Sequence, residues 1–356
     1  MTTNYPALTS LRGIAAWWVV IYHFRELLNV ADHPWIASIL AHGYLAVDLF
    51  FMMSGFVIAL HYGYVLQCPT TTKIVRFLGL RIARIYPLHL LVLLLYLVNP
   101  FLIHFFSHAS TVGDRYNLLY FMQSLILVQN WGFSPGPAWN IPAWSISAEW
   151  GAYLLFPALA WSQRNFSSLH AVIVYAALAM SAITGVGYLV GSLGDDIAEF
   201  GLARCLIEFS LGSLLFRANT LTGRHSAFAF MAFLIGVTLF TIGSIYNWHD
   251  FLYAPLSLIL IISSLLDNNS LFVKTLTQPL LLHIGEVSYS TYLIHYLIKD
   301  WVKFFLVGGS LSPAQIFMLY LFLIAAASTI LYRFIEMPGR RFGRAMTERL
   351  VQQRAL

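Results

Sequence analysis

An all-α, polytopic membrane helix bundle is the fold this sequence predicts, and three observations carry the prediction. Of its 356 residues, 59% are hydrophobic and 10% charged, with mean hydropathy +0.73, whereas a soluble domain carries about 25% charge. Apolar stretches of roughly 17–25 residues, the length a bilayer requires, follow one another along the chain. Lysine and arginine crowd some of the connections between them and avoid others, as positive-inside sorting demands. The net charge of +5 therefore reports orientation, and nucleic acid is not an expected partner. The first apolar helix runs on without a small-residue cleavage site, so no cleavable signal peptide is expected. Cys68 and Cys205 are predicted near opposite faces, so no disulfide between them is expected.

The apolar segments lie near 8–28, 44–62, 83–106, 116–131, 144–162, 169–190, 200–217, 226–246, 250–267, 280–299 and 313–335. The first contains LRGIAAWWVVIYHF, Leu11 to Phe24, with Arg12 near its start and His23 near its end. Eleven helical residues rise about 16.5 Å and turn about 1100°, leaving the two side chains ~20° apart on one face. The second, GYLAVDLFFMMSGFVIAL, carries Asp48 one turn in, where an unpaired carboxylate is costly, so His23 or Arg25 is its expected partner. Its Ser54-Gly55 suits close helix packing. The third follows the basic run Lys73, Arg76, Arg81 and Arg84. The fourth, 116–131, is the shortest and carries Gln123, Gln129 and Asn130; it reads as a re-entrant or interfacial helix, legitimate where it lines a protein cavity. The fifth is preceded by PGPAWNIPAWSISAEW, in which an aromatic belt explains the tryptophans but not Glu149. Arg204 lies within the segment 200–217, and SYSTYLIH follows in 280–299.

Orientation follows from the basic residues. Lys73, Arg76, Arg81, Arg84, Arg164, Arg217, Arg224, Lys274 and the tail arginines Arg333, Arg340, Arg341, Arg344, Arg349 and Arg354 mark the cytoplasmic side. Asp195, Asp196, Glu199 and Asp250 suit the far side, where Arg25, Arg115, Lys299 and Lys303 are exceptions. An inside N-terminus and an inside C-terminus need an even number of spans, so about ten transmembrane helices are expected once 116–131 is demoted. The predicted division is a membrane domain, 1–338, and a basic cytoplasmic tail, 339–356. Arg12, Arg81 and Arg84 then form a basic inner pole, and His23, Asp48, Glu149 and His295 an imidazole–carboxylate outer pole.

Each polar feature has a plain alternative. Arg12 alone could snorkel to the interface, Asp48 could serve the helix dipole, and Arg81 with Arg84 could be purely topogenic. Ser288, Tyr292 and His295, at i, i+4 and i+7, could simply join helices. Their pairing at matched depths points instead to a cavity, because charged groups inside membrane segments face protein or water. No zinc spacing, phosphate-cradling glycine loop or nucleophile elbow occurs, so no metal is expected.

Taken together, LTSLRGIAAWWVVIYH, VDLFFMMSGFVI, RIARIYP, PAWSISAEW, SYSTYLIH and FIEMP resemble, in order and over nearly the whole chain, the acyltransferase family 3 membrane proteins. These are bacterial integral-membrane O-acyltransferases of surface polysaccharides. The family's arginine and histidine fall on Arg12 and His23, its basic pair on Arg81 and Arg84, and its tryptophan-serine-glutamate block on Trp144, Ser145 and Glu149. The resemblance implies ten helices in the bacterial inner membrane, cytoplasmic acetyl-CoA (or another acyl-CoA) as co-substrate, and a surface-glycan sugar as acceptor on the periplasmic side. That sugar would belong to a lipopolysaccharide O-antigen or an exopolysaccharide. Some members carry a further periplasmic hydrolase-like domain; this sequence ends before one, so the membrane domain is expected to complete the transfer.

The expected roles follow. Arg12, Arg81 and Arg84 bind the polyanionic acyl-CoA. His23 acts as general base on the sugar hydroxyl, its tautomer held by Asp48 or Glu149, with acyl-histidine as competing chemistry. Trp144, Ser145, Ser288, Tyr292 and His295 line the acceptor cavity, and Ser145, Trp144 or Asn140 would supply the oxyanion donor. The rival reading is a transporter or flippase for a glycan or lipid-linked sugar, which also needs polar groups at both ends of a bundle.

Overall fold

The computed structural model describes residues 5–28, 32–106, 114–222, 226–268 and 270–353. Arg224 and Arg354, used above for orientation, lie outside the described residues. No strand occurs among the described residues. The helices in chain order are α1 (Pro6–Phe24), α2 (Pro34–Ala41), α3 (Ala46–Leu66), α4 (Thr71–Leu95), α5 (Val98–Phe106), α6 (Leu118–Leu125), α7 (Trp144–Ser162) and α8 (Leu169–Val190). They continue with α9 (Ile197–Thr222), α10 (Ser226–Ile245), α11 (Asp250–Ser264), α12 (Leu271–Leu276), α13 (Pro279–Glu286), α14 (Ser288–Leu306), α15 (Pro313–Leu331) and α16 (Met337–Gln353).

Local chemistry sets several boundaries. Pro6 opens α1 in the first turn, where its missing N–H costs nothing. The Thr70 side chain caps α4 at the Lys73 amide, so this helix begins twelve residues before the expected 83. Gly191, at φ +95°, closes α8 with its amide on the Gly187 carbonyl. Ser312 and Gln315 form a capping box at the start of α15.

Among the described residues, four helical stretches are long and apolar enough to cross a membrane: Pro34–Leu66, Thr71–Phe105, Leu169–Val190 and Pro313–Gln353. This is a membrane protein by composition and helix length. In the segment expected as a re-entrant or interfacial helix, the eight-residue α6 rises only about 12 Å, too little to cross, and it leads into irregular chain with Gln129 and Asn130 buried. One expected segment is corrected. The expected helix over 280–299 is broken at Val287 into α13 and α14.

The chain forms two compact units. Unit one comprises Met1–Pro69, Leu155–Asp195 and Ala203–Ser288. Glycines let its helices approach closely: a Cβ at Gly13 would overlap the backbone of α13, and one at Gly285 would overlap the Thr9 carbonyl of α1. Gly55 on α3 and Gly212 on α9 likewise press against the Phe209 and Met52 carbonyls. A core of Leu45, Ile183, Leu193, Phe251 and Tyr253 fills the space beside α11.

Unit two comprises Thr70–Leu154, Asp196–Leu202 and Tyr289–Leu356. The segment expected as a basic cytoplasmic tail from 339 is helical as far as Gln353. A π-helical turn, Tyr332–Glu336, joins α15 to α16, and α16 lies along α4. Gly339 meets Pro87, Gly343 meets Ala83, and Gly79 meets Thr347. Arg76 reaches Glu348 through Nε at 3.0 Å and its terminal nitrogen at 2.6 Å.

Candidate active site

Unit one holds Arg12, His23, Asp48 and Ser288. Arg12 and His23 share the unbroken α1, so the helical spacing expected between them is present. The half-buried Arg12 donates from Nε to Ser288 Oγ at 3.0 Å and from a terminal nitrogen to the Gly285 carbonyl at 3.2 Å. Ser288 Oγ donates in turn to Gly285 at 2.7 Å. The guanidinium thus sits on the C-terminal carbonyl end of α13, where the helix dipole favours a cation. This bond set holds the break at Val287.

His23 lies in the last turn of α1, and its Nδ1 is 3.0 Å from the Val19 carbonyl. A carbonyl only accepts, so Nδ1 carries a proton, and in the neutral imidazole Nε2 carries the lone pair. Its own helix therefore sets the tautomer, a role expected for Asp48 or Glu149.

Asp48 is fully buried, and its partner is Arg204 on α9, not His23 or Arg25. Arg204 Nε donates to Asp48 Oδ1 at 2.7 Å, a terminal nitrogen bonds Oδ2, and the other bonds the Leu193 carbonyl. Arg25 instead donates to the Tyr22 carbonyl at 2.7 Å and lies over the Tyr22 ring. Glu208, one turn beyond Arg204, is fully buried beside the pair. Asp250 completes this polar core: it accepts from Tyr44 at 2.6 Å, from Ser192 at 2.9 Å and from the Leu193 amide at 3.0 Å. Reading the sequence for motifs missed this network. The available signal was the i, i+4 pair Arg204 and Glu208 inside an otherwise apolar segment.

Unit two holds Arg81, Arg84, Trp144, Ser145, Glu149, Tyr292 and His295. Its geometry corrects the two-pole expectation. With α4 starting at Thr71, Arg81 and Arg84 lie about 15 and 20 Å along the helix. Glu149 accepts a hydrogen bond from Tyr153, one turn along α7, and that phenol lies within electrostatic reach of both arginines. The carboxylate thus belongs to the arginine cluster and not to a distant pole. Arg340 of α16 lies within reach of Arg81 and Arg84 as well, and pairs with Glu336 at 3.6 Å. Glu336 also accepts from Ser290 at 2.8 Å. Arg81, Arg84 and Arg340 thus share one electrostatic neighbourhood with the carboxylates of Glu149 and Glu336.

Ser145 and Tyr292 meet, with hydroxyls 2.9 Å apart and both directed at the Pro142 carbonyl, at 3.1 and 3.0 Å. Asn140 donates to the Leu293 carbonyl at 3.1 Å. His295 is fully buried, with Nδ1 on the Tyr292 carbonyl at 2.6 Å. Trp144 is buried against Gly201. These residues lock α14 to the start of α7, and the Ser145 hydroxyl is already engaged. Among the described residues, no group of three or more His, Cys, Asp or Glu is placed to hold a metal.

Comparison with known proteins decides what these clusters belong to. Residues 5–333 match the acyltransferase domain family. The chain belongs to that family. Among curated acyltransferase relatives, O-acetyltransferase OatA of Staphylococcus aureus strain NCTC 8325 / PS 47 is 26% identical over 367 residues, covering 95% of this chain and 57% of that protein. OatA of strain MRSA252 matches to the same extent. SACOL0978 of strain COL is 24% identical over 368 residues, covering 95% of this chain and 58% of that protein. This acyltransferase-domain chain therefore spans under two thirds of the length of these relatives. No solved structure gives a significant match.

Proposed function

We propose that this chain is a membrane O-acetyltransferase, moving an acetyl group from cytoplasmic acetyl-CoA to a sugar hydroxyl of a surface glycan on the periplasmic side. A lipopolysaccharide O-antigen or an exopolysaccharide is the acceptor class. It works in the bacterial inner membrane through about ten spans, with both termini cytoplasmic. Membership of the acyltransferase domain family over residues 5–333 supports the reaction, as do relatives titled O-acetyltransferase. The feature that supports the donor is the shared electrostatic neighbourhood of Arg81, Arg84 and Arg340, because coenzyme A is a polyanion and guanidinium forks suit phosphate.

His23 is the general base in this reading. Its Nε2 takes the proton of the sugar hydroxyl as that oxygen attacks the thioester carbonyl. The tetrahedral intermediate then expels the coenzyme A thiolate, which recovers the proton from the imidazolium. Asp48 takes no proton; it fixes Arg204 and so the polar core beside α3.

The test is incubation of membranes containing the protein with acetyl-labelled CoA. Label is expected in an alkali-labile ester on glycan, and a transporter or flippase would leave the label on CoA. Arg84→Ala and Arg340→Ala are expected to raise the apparent KM for acetyl-CoA about tenfold, the cost of one charged hydrogen bond, with little change for the glycan. Equal effects on both substrates would remove the arginines from donor binding.

A further inference from the structure

Glu336 is the acidic residue of the closing FIEMP block, and the proposed reaction gives it no role. It ends the π-helical turn Tyr332–Glu336 between α15 and α16. Tyr320, Ile324 and Ser328 are fully buried along one face of α15. In a continuous α-helix, the eight residues from Ser328 to Glu336 would carry the carboxylate about 80° off that face. The wider π turn absorbs one extra residue and brings it back toward the buried side, and such insertions are frequent at functional sites. There Glu336 is 2% exposed and accepts from the fully buried Ser290 of α14 at 2.8 Å.

Its partner is held differently. The Arg340 side chain is 37% exposed, with a terminal nitrogen 3.6 Å from the Glu336 carboxylate and 3.9 Å from Met337 Sδ. Arg84 and Arg81 repel it, so without a counter-charge a side chain this exposed would swing outward into solvent. The buried carboxylate is thus the fixed end of the pair, and the guanidinium is the end a ligand can touch. A carboxylate beside an anion-binding cluster weakens its attraction for anions, and the gain that offsets this is geometric. We propose that Glu336 is a positioning residue: seated by Ser290, it holds Arg340 beside Arg81 and Arg84 in the orientation that receives a phosphate of the acyl donor. The proposal rests on the donor reading above and adds the residue that sets its geometry.

The experiment measures initial rates of label transfer in membranes, varying acetyl-CoA and glycan in turn, with variants of unchanged melting temperature. Glu336→Gln keeps the shape and loses the charge. It is expected to raise the KM for acetyl-CoA about threefold or more, a coupling usual for groups in contact, and to move kcat and the glycan KM less than that. In an Arg340→Ala background the same substitution is expected to add nothing, because the group it positions is gone. Ser290→Ala leaves the carboxylate in place and is expected to raise the acetyl-CoA KM about twofold or more. An acetyl-CoA KM unchanged or lowered in either Glu336→Gln or Ser290→Ala, equal changes for both substrates, or additive effects of Glu336→Gln and Arg340→Ala would overturn the proposal. Any of these beside a raised acetyl-CoA KM in Arg340→Ala leaves the donor reading standing. An unmoved KM in Arg340→Ala removes the donor reading and the proposal with it.

Discussion

Asp48 and Arg204 meet with side chains 0% and 4% exposed, and at the residue scale that burial governs what their substitution does. Removing one partner leaves an uncompensated charge, which costs about 3–5 kcal/mol, whereas replacing both by apolar groups is often neutral. Asp48→Ala is therefore expected to lower the melting temperature in detergent sharply, and Asp48→Leu combined with Arg204→Met to recover most of the loss. A double variant as unstable as the single one would show that the pair does not act as a unit. The need for a buried partner was legible from Asp48 alone. Its identity was not, because Arg204 lies 156 positions away and only the folded chain brings α9 to α3. The Nδ1 bond of His23 was hidden for the opposite reason: its acceptor is a backbone carbonyl four residues back, which no side-chain pattern reports.

Helices in this protein are positioned by contacts that tolerate no side chain, and the clearest are at Gly55 and Gly212. Each would drive a Cβ into a carbonyl of the facing helix, and overpacking of this kind costs about 1–3 kcal/mol. Gly55→Ala should destabilise by that amount. Gly185→Ala on α8, where nothing lies near the added atom, should be neutral or stabilising by about 0.5–1 kcal/mol. Thermal unfolding of the two variants side by side checks the contrast, and equal shifts would contradict it. Hydropathy located the four stretches long and apolar enough to cross a membrane, since burial and lipid exposure both select apolar residues. It failed at ends and breaks. The α4 start at Thr71 depends on the Thr70 cap and on a polar first turn, so the apolar run marked the helix start too late. The break at Val287 depends on Arg12 and Gly13 of α1, far away in sequence.

For the whole molecule, orientation is the property on which the proposed route for the donor depends. Cys68 is exposed at the end of α3, whereas Cys205 is buried, so a membrane-impermeant maleimide reports one site. With both termini cytoplasmic, Cys68 should react in inverted membrane vesicles and stay protected in right-side-out ones. The opposite pattern would invert the topology. The expectation of this orientation comes from the distribution of Lys and Arg among the connections. The basic trio escaped that reading because Arg340 was counted as tail charge, when α16 folds back along α4 and brings it to Arg81 and Arg84.

The central claim is that the Nε2 nitrogen of His23 removes the proton of the acceptor hydroxyl. The most direct measurement is the rate of label transfer from acetyl-labelled CoA to glycan by wild-type protein and by His23→Ala, at matched amounts and matched melting temperatures. General-base catalysis is worth about 10²–10⁴-fold, and a loss of at least the lower figure is predicted, with the KM for acetyl-CoA nearly unchanged. A folded His23→Ala protein that transfers acetyl at the wild-type rate would contradict the account.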